Sequence, residues 1–257
     1  MSKITLEPLS DIDFAPTREK PVQVLLRCHQ AQTIVAEHCH HWGQMVYAEQ
    51  GVIRVYADNM VFTVPPLRAV WIDEDIPHRV EVLTAIQVYT VHIQRREKCH
   101  TFFVPPLLRE IIKALSQKND MTKYHLLVAL FREELKSVPK LNLGIEMPLE
   151  RRLLNLCNKI LIEPRIDISI EKWSDSCGAS VSTIQRLFKQ HLHCSFNHWR
   201  QQVLLARAIE LAGEGYSLTE IAFELGYSSQ SAFTLMISKM TGIPAGKYLK
   251  NTYPKKQ

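Results

Sequence analysis

Residues 169 to 248 contain one small unit written twice, and no other feature constrains the chain as strongly. The first copy reads Ser169-Ile170-Glu171-Lys172-Trp173, then Cys177-Gly178-Ala179-Ser180, then Thr183-Ile184-Gln185-Arg186-Leu187-Phe188-Lys189. The second reads Ser217-Leu218-Thr219-Glu220-Ile221-Ala222, then Leu225-Gly226-Tyr227-Ser228-Ser229, then Ala232-Phe233-Thr234-Leu235-Met236-Ile237. Equivalent positions lie 48 residues apart up to the Gly turns and 49 apart beyond them. In each copy a Ser with an acidic residue close behind opens a short helix, a Gly breaks it, and another Ser starts an amphipathic second helix. This is the pattern of helix-turn-helix, whose second helix can enter a major groove. A bundle that merely packs would need the apolar periodicity but not two Gly turns in register.

The second unit carries a more specific signature. Ala222-Phe223-Glu224-Leu225-Gly226-Tyr227-Ser228-Ser229-Gln230-Ser231-Ala232-Phe233, followed by Thr241-Gly242-Ile243-Pro244 and Lys247-Tyr248, resembles the tandem helix-turn-helix domain of the AraC/XylS family of bacterial transcription regulators. The resemblance covers residues 169 to 248 and implies an all-α reader of double-stranded DNA. Matched position by position, it points to Ser182, Gln185 and Arg186 in the first recognition helix and to Gln230, Ser231 and Leu235 in the second. Gln can pair bidentately with adenine and Arg with guanine, whereas Leu offers only an apolar contact. Lys189 is a candidate phosphate contact, and Leu187, Phe188, Phe233 and Ile237 are expected in the core.

The charge distribution agrees with a polyanion partner for this half. Lys and Arg number 17 against 17 Asp and Glu in residues 1 to 146, and 14 against 9 in residues 147 to 257, so the whole net charge of +5 lies with the duplicated unit. With 46% hydrophobic and 22% charged residues the chain reads as globular. No apolar run is long enough for a bilayer span, and Met1-Ser2-Lys3-Ile4-Thr5-Leu6-Glu7 does not resemble a secretory signal, so a cytoplasmic protein is expected, without a membrane partner. The six Cys form no CxxC pair, and reduced thiols are expected.

The N-terminal half speaks a different language. β-branched and aromatic clusters between turn signals predict strands at 22–28, 33–37, 44–49, 52–56, 60–64, 69–72, 79–83 and 86–93. Spacing this regular suggests a barrel or sandwich. Pro65-Pro66 and Asp73-Glu74-Asp75-Ile76-Pro77 mark turns, because Pro cannot feed a central ladder. Inside this block, His38-Cys39-His40-His41-Trp42-Gly43-Gln44, with Gly51 seven residues on and Pro77-His78 later, resembles a cupin. Gln44 stands where the cupin pattern has Glu, and His78 falls at the last ligand position of the second cupin motif. Alternation along a strand would put His38 and His40 on one face, converging inside a barrel.

Two functional readings of His38, His40, Gln44 and His78 stay open. They are the polar wall of a small-molecule effector pocket, or they hold a divalent transition metal, imidazole being a good ligand and a neutral amide a poorer one. Plain structural histidines are the third possibility. No cofactor is certain on these residues alone.

Between the halves, Pro105-Pro106 precedes Leu107, Leu108, Ile111, Ile112 and Leu115, and Asn119-Asp120 precedes Leu126, Leu127, Leu130, Phe131 and Leu135, both at helical spacing. These helices either pack on the barrel or mate with a second subunit in a homodimer; the family resemblance favours the dimer. Pro139 to Pro148, around Gly144, is the expected domain boundary. The organisation expected is α+β and multidomain: a cupin-like β barrel over 1–103, a helical linker or dimerisation segment over 104–146, and an all-α tandem helix-turn-helix domain over 147–257. A ligand-responsive transcription regulator follows from that organisation. The rival is a metal-dependent cupin enzyme with an appended DNA module, and the missing carboxylate at Gln44 argues against it.

Overall fold

The computed structural model describes residues 4–8, 14–141 and 144–252. Two compact units divide the chain, residues 1–58 with 62–144, and residues 59–61 with 145–257. Among the described residues no helix is long and apolar enough to cross a membrane. All six cysteines are free thiols.

The first unit is built on β1 (Ile4–Leu6), β2 (Val22–His29), β3 (Thr33–His38), β4 (Gly43–Gln50), β5 (Ile53–Ala57), β6 (Met60–Val64), β7 (Arg68–Ile72), β8 (His78–Val82), β9 (Ile86–Ile93), β10 (His100–Phe103) and β11 (Lys140–Leu141). All eight strands predicted from the sequence form within a residue or two of the expected ends. The closed barrel does not. Among the described residues the ladders make two sheets, one running β1-β3-β8-β5-β6 and the other β11-β10-β7-β4-β9-β2. The chain changes sheet at most connections, and the residues there explain why. Gly51 (φ 76°), Leu67 (φ 64°) after Pro65-Pro66, and Asp75 (φ 59°) before Pro77 turn the backbone out of any ladder it could continue.

Period-two alternation gives the second sheet two different faces. On β4, Met45 and Tyr47 join Tyr89 and Val91 of β9 in one buried cluster with Trp71 and Phe102. Against that face lie α1 (Pro106–Leu115) and α2 (Met121–Ser137), contributing Leu108, Ile111, Ile112, Leu115, Tyr124, Val128, Phe131 and Leu135 to the same core. The middle segment expected at 104–146 thus has one face inside the core of the first unit. Burying each large side chain of that face contributes about 1.5–3 kcal/mol, which no exposed linker could recover.

The second unit holds α3 (Arg151–Ile162), α4 (Ile170–Cys177), α5 (Val181–Leu192), α6 (Phe196–Gly213), α7 (Leu218–Glu224), α8 (Gln230–Thr241) and α9 (Ala245–Thr252). The Ser signals act as read: the side chains of Ser169, Ser180, Ser217 and Ser229 each accept an N–H of the first turn, and Ser217 with Glu220 completes a capping box. Gly178 and Gly226 take the left-handed turns at φ 63° and 78°. One core gathers Leu204, Ala208, Ile221, Leu225, Phe233 and Ile237 from α6, α7 and α8. Phe188, Phe196 and Trp199 make edge and tilted ring contacts where α5 meets α6.

Arg200 ties the unit together from α6. Its guanidinium donates to the carbonyls of Ile168 (2.9 Å) and Ile166 (3.4 Å), and the Ile166 amide in turn donates to the Leu225 carbonyl (2.8 Å). The segment before the first helix pair is thereby held against the turn of the second.

Candidate functional sites: a histidine-lined pocket and two exposed helices

His38 is the last residue of β3, and a register shift after Val35 sets it directly opposite His78, the first residue of β8. His40 is not on a strand. It lies in the connection to β4, buried, so its convergence with His38 comes from the bend of that connection and not from the alternation expected of a strand. The ring centroids are 4.9 Å apart for His38–His40, 4.3 Å for His38–His78 and 5.5 Å for His40–His78. One ring nitrogen from each of the three lies within 4.8 Å of the others.

Backbone carbonyls fix the rings. His38 Nδ1 is 2.7 Å from the Ala36 carbonyl and His78 Nδ1 2.9 Å from the Ile76 carbonyl. A carbonyl oxygen only accepts, so both rings carry a proton on Nδ1. His78 is almost completely buried, and its Nε2 has no hydrogen-bond partner. Burial above all, with the charges of His38, His40 and His92 adding, pushes the His78 imidazole down to about 3. Gln44 on β4 is also buried, with its Oε1 unpartnered.

The sequence reading missed His92. It stands opposite Gln44 in the β4–β9 ladder, its ring 5.3 Å from that of His40, with Nδ1 3.1 Å from the Phe14 carbonyl. The signal was present as alternation, because Ile86, Val88, Thr90 and His92 turn one face of β9 into a single pocket. That pocket lies between the two sheets. Val35, Ile53, Val80 and Val82 line it from one sheet and Val46 from the other, with Arg27 and His29 of β2 at its polar border. Among the described residues that line it there is no Asp or Glu. Trp42 stacks on His40, centroids 5.1 Å apart and planes 10° apart, so an aromatic wall supports the histidines.

In the second unit every DNA-facing candidate is exposed: Ser182, Gln185, Arg186 and Lys189 on α5, Gln230 and Ser231 on α8. Ser182, Gln185, Arg186 and Lys189 border one groove with Ser195, Phe196 and Asn197 at the start of α6, three residues not singled out from the sequence. Gln230 Oε1 accepts from the Thr219 hydroxyl at 2.6 Å, which orients its amide from the preceding helix. Phe188, Phe233 and Ile237 are buried as expected, while Leu187 is only half-buried. Leu235 is 56% exposed and Phe223 61%, which an apolar core role does not explain.

These two sites, an interior pocket in a β-rich unit and exposed second helices in a helical one, define a ligand-binding module joined to a DNA-binding module. Comparison with known families agrees. Residues 20–134 match an AraC-like ligand binding domain and residues 173–251 a helix-turn-helix domain. The chain belongs to the AraC-type transcriptional regulators, and it is a regulator rather than an enzyme. Its relatives include the HTH-type transcriptional regulator NimR of Escherichia coli (strain K12), 27% identical over 222 residues that cover 82% of this chain and 81% of NimR. The HTH-type transcriptional regulator RipA of Corynebacterium glutamicum is 25% identical over 96 residues, 37% of this chain and 29% of RipA. Among solved structures, ToxT of Vibrio cholerae with a bound unsaturated fatty acid aligns over 92% of this chain and 97% of its own at 11% identity and a TM-score of 0.40. So distant a likeness says nothing about what this pocket binds.

Proposed function

We propose that this regulator reads its operator through both exposed helices, α5 and α8, and is switched by a small effector in the pocket between its two sheets. The observation that carries the sensing half is the convergence of His38, His40, Gln44 and His78, joined by His92, at one end of a cavity walled mainly by Val and Ile side chains. The strand order and the His-x-His segment support a cupin-like ancestry for that unit. On the DNA side, Gln185 and Arg186 are suited to base edges, while Ser182, Lys189, Gln230 and Ser231 are suited to positioning on phosphates. An effector acts by binding two states of the regulator unequally, and by no more than that difference in affinity.

A homodimer fits the same scheme. The face of α2 turned away from the core carries Leu126, 69% exposed, with Leu130 one turn on. The cytoplasm is the compartment where such a protein meets its operator.

The test starts with a thermal-shift panel of metabolites on the full chain to find the effector. The effector is expected to change operator affinity in the native protein. In His40→Ala/His78→Ala it should change nothing while operator binding persists. An undiminished response in the double variant would reduce these residues to scaffolding.

A further inference from the structure

Two exposed glutamines stand on the two recognition helices, and their surroundings differ. Gln230, the first residue of α8, has its side-chain oxygen 2.6 Å from the hydroxyl of Thr219, the second residue of α7. That length belongs to an O–H···O bond and is shorter than an amide N–H donor usually gives, so the oxygen of the amide is the atom turned towards α7. The first unit has no counterpart. The places equivalent to Thr219 and Gln230 hold Glu171 and Val181, and Gln185 lies a turn further along α5.

We propose that Thr219 is a positioning residue for DNA binding: it holds the Gln230 amide with its NH2 group turned away from α7, which makes Gln230 an anchor to phosphate oxygens and withdraws it from reading adenine. This rests on the reading of α8 as a DNA-facing helix.

Pairing with adenine takes both ends of a glutamine amide at once, the NH2 on N7 and the oxygen facing the N6 amine. In Gln230 the oxygen faces α7 instead. The NH2 that remains only donates, and phosphate oxygens only accept. Place points the same way. Thr219 is on the first helix of its unit, and in helix-turn-helix the first helix crosses the sugar-phosphate backbone while the second enters the groove. A side chain braced from the first helix is therefore held at the backbone side of the second. The N–H groups of Gln230 and Ser231 lie in the first turn of α8, where no helix carbonyl reaches them and the helix dipole favours an anion. Ordering completes the case, because a long exposed side chain loses rotamer freedom when it binds, and the bond to Thr219 fixes part of that before DNA arrives.

Native full-length chain first selects its preferred duplex from randomised DNA, and affinities for that duplex and for an unrelated one are read at one fixed salt concentration. Thr219→Val keeps the shape of the side chain and removes the hydroxyl. It is expected to weaken both duplexes alike, by about threefold to tenfold, and to leave the selected sequence unchanged. Thr219→Ser should restore native affinity, and in a Gln230→Ala background Thr219→Val should make no further difference. Thr219→Ala gives the same reading should Val loosen the first turn of α7, seen as a lower unfolding temperature. Unchanged affinity in Thr219→Val, an equal loss with and without Gln230, or failure of Ser to restore binding overturns the brace. Loss of an adenine from the selected sequence in Gln230→Ala overturns the phosphate assignment. The reading of α8 itself fails differently: Gln230→Ala and Ser231→Ala would then bind both duplexes as the native chain does, whereas a failed brace leaves the loss in Gln230→Ala intact.

Discussion

The Tyr124 hydroxyl donates to the Val22 carbonyl at 2.7 Å and accepts from the Val22 amide at 3.1 Å. Val22 opens β2, the last strand of its sheet, and pairs with Ile93 only on its inner side. One side chain of α2 thus satisfies both outward backbone groups of a buried edge residue, where an unpaired strand edge would invite another chain.

Tyr124→Phe keeps the ring in the core and removes both bonds. It is expected to destabilise the first unit by about 1–3 kcal/mol, seen as a lower urea midpoint at unchanged slope. An unaltered midpoint would mean that water replaces the hydroxyl, and that α2 is held by its apolar face alone.

Gly178 and Gly226 are equivalent turns with unequal surroundings. A Cβ on Gly178 meets nothing within 4 Å, whereas one on Gly226 would overlap the Asp167 carboxylate, which Arg165 grips at 2.6 and 2.9 Å. Both changes to Ala incur the left-handed backbone penalty, about 1 kcal/mol or somewhat more. Gly226→Ala should cost more, because Asp167 has to give way. In an Asp167→Ala background the two costs should converge; thermal unfolding of the four variants decides it, and a persistent gap would place the constraint elsewhere in the turn.

Arg186 and Leu235 hold the same place in the two recognition helices, and both side chains are exposed. Only Arg can donate a bidentate pair to guanine. Arg186→Ala is expected to cost about 1–3 kcal/mol on the operator and to relax one base position, whereas Leu235→Ala should leave the preferred sequence intact. Selection from randomised DNA with both variants gives the answer. Greater relaxation by Leu235→Ala would reverse the assignment of roles.

What the amino-acid sequence determined by itself is whatever depends on neighbours along the chain. Ser169, Ser180, Ser217 and Ser229 cap helices because the N–H they serve lies three residues on, and Gly178 and Gly226 break helices through their own φ. The strands from Val22 to Ile93 are local in the same sense, since β-branched alternation needs no distant partner to be read. Tertiary structure decided the rest. His92 reached the pocket only because β9 pairs with β4 in the register that sets it against Gln44, and a register is a relation between residues 37 to 50 apart in number. His40 converges with His38 through a bend beyond the end of β3, where no alternation rule applies. The strands divide between two layers, the chain being redirected at Gly51, Leu67 and Asp75 on its way from one to the other, and the apolar stripe of α1 and α2 found its cover on the sheet face of Tyr47, Trp71 and Tyr89. An apolar stripe states that it must be buried; only the packed fold says against what.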